Sequence, residues 1–418
     1  MKKIITLAAI AALVLSACAK IENSPKAEVD EPVGFAAYSG NALTKAGTAG
    51  EMTTTALQTA GFGVFAYQTT GDYTTSAKPN FMYNTKVSGS SWTYSPVKYW
   101  PNQIANGGTD SQDPKAQATQ ADKVTFFAYA PHVVATAATG VPSGDVTSGI
   151  TALTTNDTAG DPKVTYKVGS DLDSQVDLLW AVSKGATWTN VAGTTNTPVS
   201  GKPYLNLQKP AVGTAIHFYF KHALAQLKLQ AVAAYNQVAA GGTAKDGVKI
   251  TIKSVELTVP GMTETATLNL NNTTADTPLW EDATGSTDLT LTVSGDNLNT
   301  ALKDAGEVKA ASQPAGVTAT ATDVIVSGKY YTLIPKTTST TVTVKVTYYV
   351  TTDDPDLKAE FSRVENVISK DVTFANGFAA GTKNTIKMTL GVSEVKFEAE
   401  VENWADGTTQ TVDLPINS

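Results

Sequence analysis

The chain has 418 residues, a formal net charge of −7, and one arginine, Arg363, among 31 basic residues. That balance excludes a nucleic-acid partner, which calls for Lys and Arg gathered on one face. A single cysteine, Cys18, excludes any intramolecular disulfide and any cysteine-built metal site.

The chain opens with Lys2 and Lys3, followed by an apolar run from Ile4 to Leu15 broken only by Thr6. At about a dozen residues the run suits a secretory signal and falls short of the roughly 20 needed to span a bilayer. It ends in Leu15-Ser16-Ala17-Cys18, which resembles the lipobox of bacterial lipoproteins. The resemblance implies removal of residues 1–17, acylation of Cys18 as the new N-terminus, and attachment to the outer membrane through lipid. Stable anchoring needs more than one acyl chain. Residues 18–32 are polar and aperiodic, and read as a flexible tether.

Val33 to Ser39 is a short strand with Val33, Phe35 and Ala37 on one face. Residues 40–50 are rich in small side chains and contain Lys45 and Ala46, the composition of an exposed loop that proteases cut. Strands are then expected at Gly61–Tyr67, Val124–Tyr129, Val164–Val168, Ala215–Phe220, Leu224–Val232 and Val248–Val259. Further ones follow at Leu289–Val293, Tyr330–Ile334, Thr341–Tyr348, Thr385–Leu390 and Lys396–Val401. The clearest is Thr341-Val-Thr-Val-Lys-Val-Thr-Tyr348, in which Val342, Val344, Val346 and Tyr348 share a face. Helical patterns are short: two turns at Leu298–Ala305 and one at His222–Ala225. With no helix long enough to cross between parallel strands, the expected class is all-β, built as two tandem β-sandwich domains. The stretch Gly193–Gly213 is rich in Gly, Thr, Asn and Pro, and places the division near residue 208. The domains are then residues 33–208 and 209–418.

Catalytic chemistry finds no support, and no catalytic residue, cofactor or metal site is assigned. His132, His217 and His222 lack the spacing of a helical metal pair. No Gly-x-Ser-x-Gly elbow stands between a strand and a helix, and no glycine pair leads into a phosphate-binding loop. Asp353, Asp354 and Asp356 share a tight turn, but a hard cation needs six or more oxygens, so a solvated hairpin tip is the better reading. Trp100 and Trp180 sit in apolar phrases and read as core. Trp92, Trp188 and Trp280 lie near polar loops, where a ring is open to stacking on a ligand.

Five apolar phrases together resemble the fimbrillin family, the subunits of type V pili. They are Gly61-Phe-Gly-Val-Phe-Ala-Tyr67, Pro96-Val-Lys-Tyr-Trp-Pro101, Val124-Thr-Phe-Phe-Ala-Tyr-Ala-Pro131, Asp177-Leu-Leu-Trp-Ala181 and Phe218-Tyr-Phe-Lys-His-Ala-Leu-Ala225. They cover roughly residues 30–230. The second half matches in style, best at Phe397-Glu-Ala-Glu-Val-Glu-Asn-Trp404. The resemblance implies transthyretin-like sandwiches, lipoprotein export through the periplasm, and cleavage by a trypsin-like surface protease. Cleavage frees the first strand, here the one carrying Val33, Phe35 and Ala37, and opens a groove that another subunit fills. Lys45-Ala46 suits the cut, with Lys rather than Arg before the small residue.

Three functions compete at this point. The first is a pilus subunit that polymerises with other pilin subunits, alone or in a mixed pilus, and supports adhesion. The second is a monomeric surface lipoprotein or pilus-tip adhesin that binds glycans or other surface ligands. The third is a secreted hydrolase, for which no catalytic residues appear. A shaft subunit also needs a donor segment. Thr411-Val-Asp-Leu-Pro-Ile416 places Val412, Leu414 and Ile416 on one face, with Pro415 at a backbone position that must stay unpaired. Lys396–Val401 has a similar alternation but reads as an integral last strand.

Overall fold

The computed structural model describes residues 31–39, 52–101, 122–144, 146–190, 193–211, 213–234, 248–306, 313–352, 356, 358, 362–391, 395–403 and 409–410. Cys18, Lys45, Ala46, Val412, Leu414 and Ile416 lie outside the described residues, as does most of the acidic turn at 353–356.

The fold is all-β. The first half contributes β1 (Phe35–Ser39), β2 (Phe62–Thr70), β3 (Met82–Val87), β4 (Asp122–Ala130), β5 (Gly149–Leu153) and β6 (Lys163–Lys167). It continues with β7 (Leu179–Val182), β8 (Trp188–Thr189), β9 (Thr195–Asn196), β10 (Tyr204–Leu207) and β11 (Ile216–His222). The second half contributes β12 (Ala225–Ala233), β13 (Val248–Asn269), β14 (Leu279–Ser294), β15 (Thr322–Asp323) and β16 (Tyr331–Leu333). It closes with β17 (Thr340–Thr352), β18 (Arg363–Phe374), β19 (Thr382–Leu390), β20 (Val395–Asn403) and β21 (Thr409–Gln410). Among the described residues the α-helix is α1 (Thr54–Ala60). The Thr53 hydroxyl accepts from Ala56 N at its start, and Gly61 closes it at φ 76°, a conformation suited to glycine.

Among the described residues three large sheets result, with β8 and β9 forming a separate two-stranded one. The first runs β1–β11–β7–β4–β2–β3, with β10 also on β4. The second runs β18–β17–β13–β6–β5, with β14 on β13, and the third runs β15–β12–β19–β20–β21, with β16 on β12. In β17 the expected alternation holds: Val342, Val344, Val346 and Tyr348 are buried. The first sheet is buried on both faces, which is why β2 and β4 are near-continuous apolar runs. One face, with Phe62, Val64, Phe126 and Ala128, packs on Leu57, Trp100 and Trp188. The other, with Phe65, Tyr67, Phe127 and Tyr129, packs on β5, β6 and the far end of β13.

β13 explains that second contact. It is 22 residues long and bends where its register shifts between Val259 and Met262, around Gly261 at φ 58°. Its first part pairs with β17 inside the second core, and Thr265–Asn269 pairs with β6 from the first half. β10 and β11, on either side of residue 208, both belong to the first sheet. The chain passes into the third sheet between His222 and Ala225.

Two helical expectations fail. Leu298–Ala305 forms turns in which Leu302 N and Lys303 N both donate to Asn299 O, at 3.0 and 2.9 Å, instead of an α-helix. His222–Ala225 is the short link between β11 and β12, so both its ends are already committed to ladders.

Candidate functional site

The first strand is an edge strand with an unusual partner. β1 runs parallel to β11, from Phe35 opposite Ile216 to Ser39 opposite Phe220, while the other pairs of this sheet are antiparallel. Among the described residues it has a strand neighbour on one side only. Edge strands present unpaired backbone groups and are the natural place for exchange.

The side chains of β1 are nonetheless deeply set. The structure brings Val33, Phe35 and Ala37 into one core, at 1%, 6% and 1% exposure. Phe35 is the anchor. Its ring stacks on Phe218 at 5.8 Å and meets Tyr94, Phe126 and Phe62 edge-on at 5.4, 6.1 and 6.3 Å. Full burial of Val33 and Phe35 contributes about 1.5–3 kcal/mol for each side chain.

A second wall closes the slot. Val33 N donates to Lys98 O at 2.8 Å, and Trp100 N donates to Glu31 O at 2.9 Å. The Tyr94 hydroxyl donates to Val33 O at 2.8 Å and accepts from Lys98 N at 3.2 Å. Burial raises the Tyr94 pKa, which keeps the phenol protonated and donating. On the outer side Tyr38 stacks on Tyr219 at 5.6 Å and on His217 at 6.5 Å.

The chain after the 40–51 segment is fastened separately. Met52 N donates to the Asp177 carboxylate at 2.9 Å, and the other oxygen of that carboxylate meets His222 Nδ1 at 2.9 Å. With α1 following directly, the residues beyond the expected cut have a fastening of their own, beside the 3.4 Å bond that the Thr54 hydroxyl donates to Ser39 O of β1. Sequence reasoning missed Tyr94, Asp177 and the Tyr38 stack. Asp177 opens an apolar phrase and Tyr38 lies in an alternating strand, but only the fold brings positions 33, 94 and 177 together.

Other sequence candidates resolve by packing. His132 is half-buried with Nε2 3.3 Å from Asn84 O, and burial lowers its pKa. His217 is exposed, and His222 is tied to Asp177. The three are not gathered into one site. Among the described residues no three His, Cys, Asp or Glu side chains are placed to hold a metal. Trp100 and Trp180 are core, as expected. Trp188, expected near a polar loop, is also buried: it packs on Trp100 at 5.5 Å and its Nε1 donates to Gln208 O at 2.8 Å. Trp92 and Trp280 are half-buried, the first against Phe62 at 5.6 Å, the second donating to Ala223 O at 3.2 Å. β20, which contains the Lys396–Val401 alternation, pairs with β19 from Val395 to Asn403 and buries Phe397 and Ala399.

The arrangement seats β1 in an apolar slot, and among the described residues it offers no constellation for covalent chemistry. The profile of the fimbrillin-like family matches residues 44–404. A curated relative, fimbrium subunit Fim1C of Phocaeicola vulgatus, is 26% identical over 97% of each chain. The fold is similar to the crystal structure of a fimbrial protein from Bacteroides vulgatus. That pair has a TM-score of 0.57 and 23% identity, covering 90% of this chain and 100% of the other.

Proposed function

The chain belongs to the fimbrillin-like family, and from that membership we propose that it is a pilus subunit exported as a lipoprotein on Cys18, matured by cleavage after Lys45 and polymerised by strand exchange. The observation that carries this reading is the setting of β1. It is an edge strand with deep apolar anchors, and the segment containing Lys45 and Ala46 follows directly after it.

Cleavage there releases β1 together with the tether and lipid. The vacated slot exposes Phe62, Phe126 and Phe218 alongside the freed edge of β11, and a neighbour's strand satisfies both. The donor is the tail with Val412, Leu414 and Ile416. Donation from one end of a subunit into the other end of the next does not close on itself, so it yields a filament. Keeping β1 in place during export prevents early assembly.

The maturing protease is of trypsin type and acts after lysine. The chain's one arginine, Arg363, is 10% exposed at its side chain, sits 3.4 Å over the Tyr349 ring, and is ion-paired with Asp304 at 2.5 Å. It offers a protease no accessible target in the folded protein.

One digestion tests this reading. Limited cleavage of the outer-membrane protein with a lysine-specific protease is expected to give a product beginning at Ala46. The released N-terminal peptide should carry acyl mass on Cys18, and the product should form oligomers that resist SDS. A Lys45 that stays uncut in the folded protein, or a cut product that remains monomeric at high concentration, would contradict it.

A further inference from the structure

Away from the β1 slot, a cleft of about 450 Å³ opens between the β8–β9 hairpin and the segment 198–208. Its lining combines the apolar Pro198, Val199, Pro203 and Leu205 with hydroxyls of Thr194, Thr195 and Thr197 and amides of Asn196 and Asn206. One residue in it departs from ordinary strand geometry. β10 shifts register against β4 between Tyr204 and Leu207, and inside that bulge Asn206 adopts φ 60°. Bulges re-aim side chains, and a non-glycine residue held in the left-handed region marks a position that the surroundings over-determine.

Asn206 is held in this way from two directions. Its backbone N donates to the Thr125 hydroxyl at 2.9 Å, and its Oδ1 accepts from Tyr73 N at 2.6 Å. The amide nitrogen Nδ2 has no partner among the described residues, so a fixed donor is left at the cleft. Lys202 lines the same space without a carboxylate partner among the described residues, whereas Lys123 is paired with Asp72 at 2.5 Å. Trp188 contributes no stacking face, because it is 4% exposed and packed on Trp100.

We propose that this cleft binds an acidic saccharide of the uronic-acid type. Its hydroxyls meet the amides and threonines, and its carboxylate meets the Lys202 ammonium. Recognition by hydrogen bonds alone, without ring stacking, makes each contact weak and suits a surface that binds through many subunits at once. The inference goes beyond polymerisation and does not depend on it, since neither Lys202 nor Asn206 belongs to the core that holds β1.

Saturation-transfer NMR on the full chain tests it, with glucuronic acid as probe and glucose as its neutral counterpart. Glucuronic acid is expected to receive saturation and to bind about tenfold more tightly than glucose, the worth of one charge-assisted hydrogen bond. Lys202→Gln should reduce glucuronic acid to the level of glucose. Asn206→Gly, which suits the same backbone conformation and removes the donor, should weaken both. Three results would overturn the proposal: no transfer to either sugar, equal binding of the two, or unchanged glucuronic acid binding in both variants when they melt like the parent protein.

Discussion

Phe35→Ala is expected to lower the stability of the uncut protein by about 3–5 kcal/mol, the range for truncating a buried phenylalanine. The reason lies in where the ring sits. Phe35 is 6% exposed and touches Phe62, Tyr94, Phe126 and Phe218, so its removal leaves a void between four rings that cannot all move. Ala37→Gly on the same face removes far less apolar surface and should cost about 1 kcal/mol or less. Equilibrium denaturation of the two variants, with amide exchange along β11 as the local readout, checks the contrast. Loss of under about 1 kcal/mol for Phe35→Ala would mean that β1 is not part of the core.

Arg363→Ala carries the second large effect, in the other half of the molecule. Asp304 is 11% exposed at its side chain, and accepts from the Thr251 hydroxyl at 3.1 Å and from Gly306 N at 3.0 Å as well as from the guanidinium. Removing the arginine leaves that carboxylate without its counter-charge, which costs about 3–5 kcal/mol for a buried pair. Arg363→Lys restores the charge but not the planar stack on Tyr349, and should recover only part of the loss. A Lys variant as unstable as the Ala variant would assign the effect to ring stacking rather than to charge. Thermal unfolding of the three proteins separates these cases.

Much of the fold was legible because strand period is a local property. β17, β19 and the Val255–Val259 part of β13 alternate cleanly, since one face of each is buried and the other wet. β2 and β4 were legible for the opposite reason, as continuous apolar runs covered on both faces. β18 was not, because Val364 and Val367 are exposed on an edge strand and break the alternation. Nor was the reach of β13 into the first half, which depends on a bend at Gly261 and a partner, β6, about a hundred residues upstream.

The slot was half legible. Val33, Phe35 and Ala37 declared themselves by their spacing, and all three are buried. The parallel pairing with β11, the Tyr94 hydroxyl on Val33 O, and the Asp177 fastening of Met52 did not. Each joins residues far apart in the chain through a backbone group, and backbone groups leave no trace in the sequence.

The account's central claim is that one subunit's tail replaces β1 beside β11 of the next. Disulfide trapping in a Cys18→Ser background tests it most directly. His217 is exposed on β11 opposite Ala36, and Asp413 stands in sequence between Val412 and Leu414 of the tail. With His217→Cys and Asp413→Cys in the same chain, mild oxidation of uncut protein should leave it monomeric. Oxidation after cleavage at Lys45 should give a ladder of covalently linked oligomers that collapses on reduction. Oligomers that form after cleavage yet never link 217 to 413 would contradict the account.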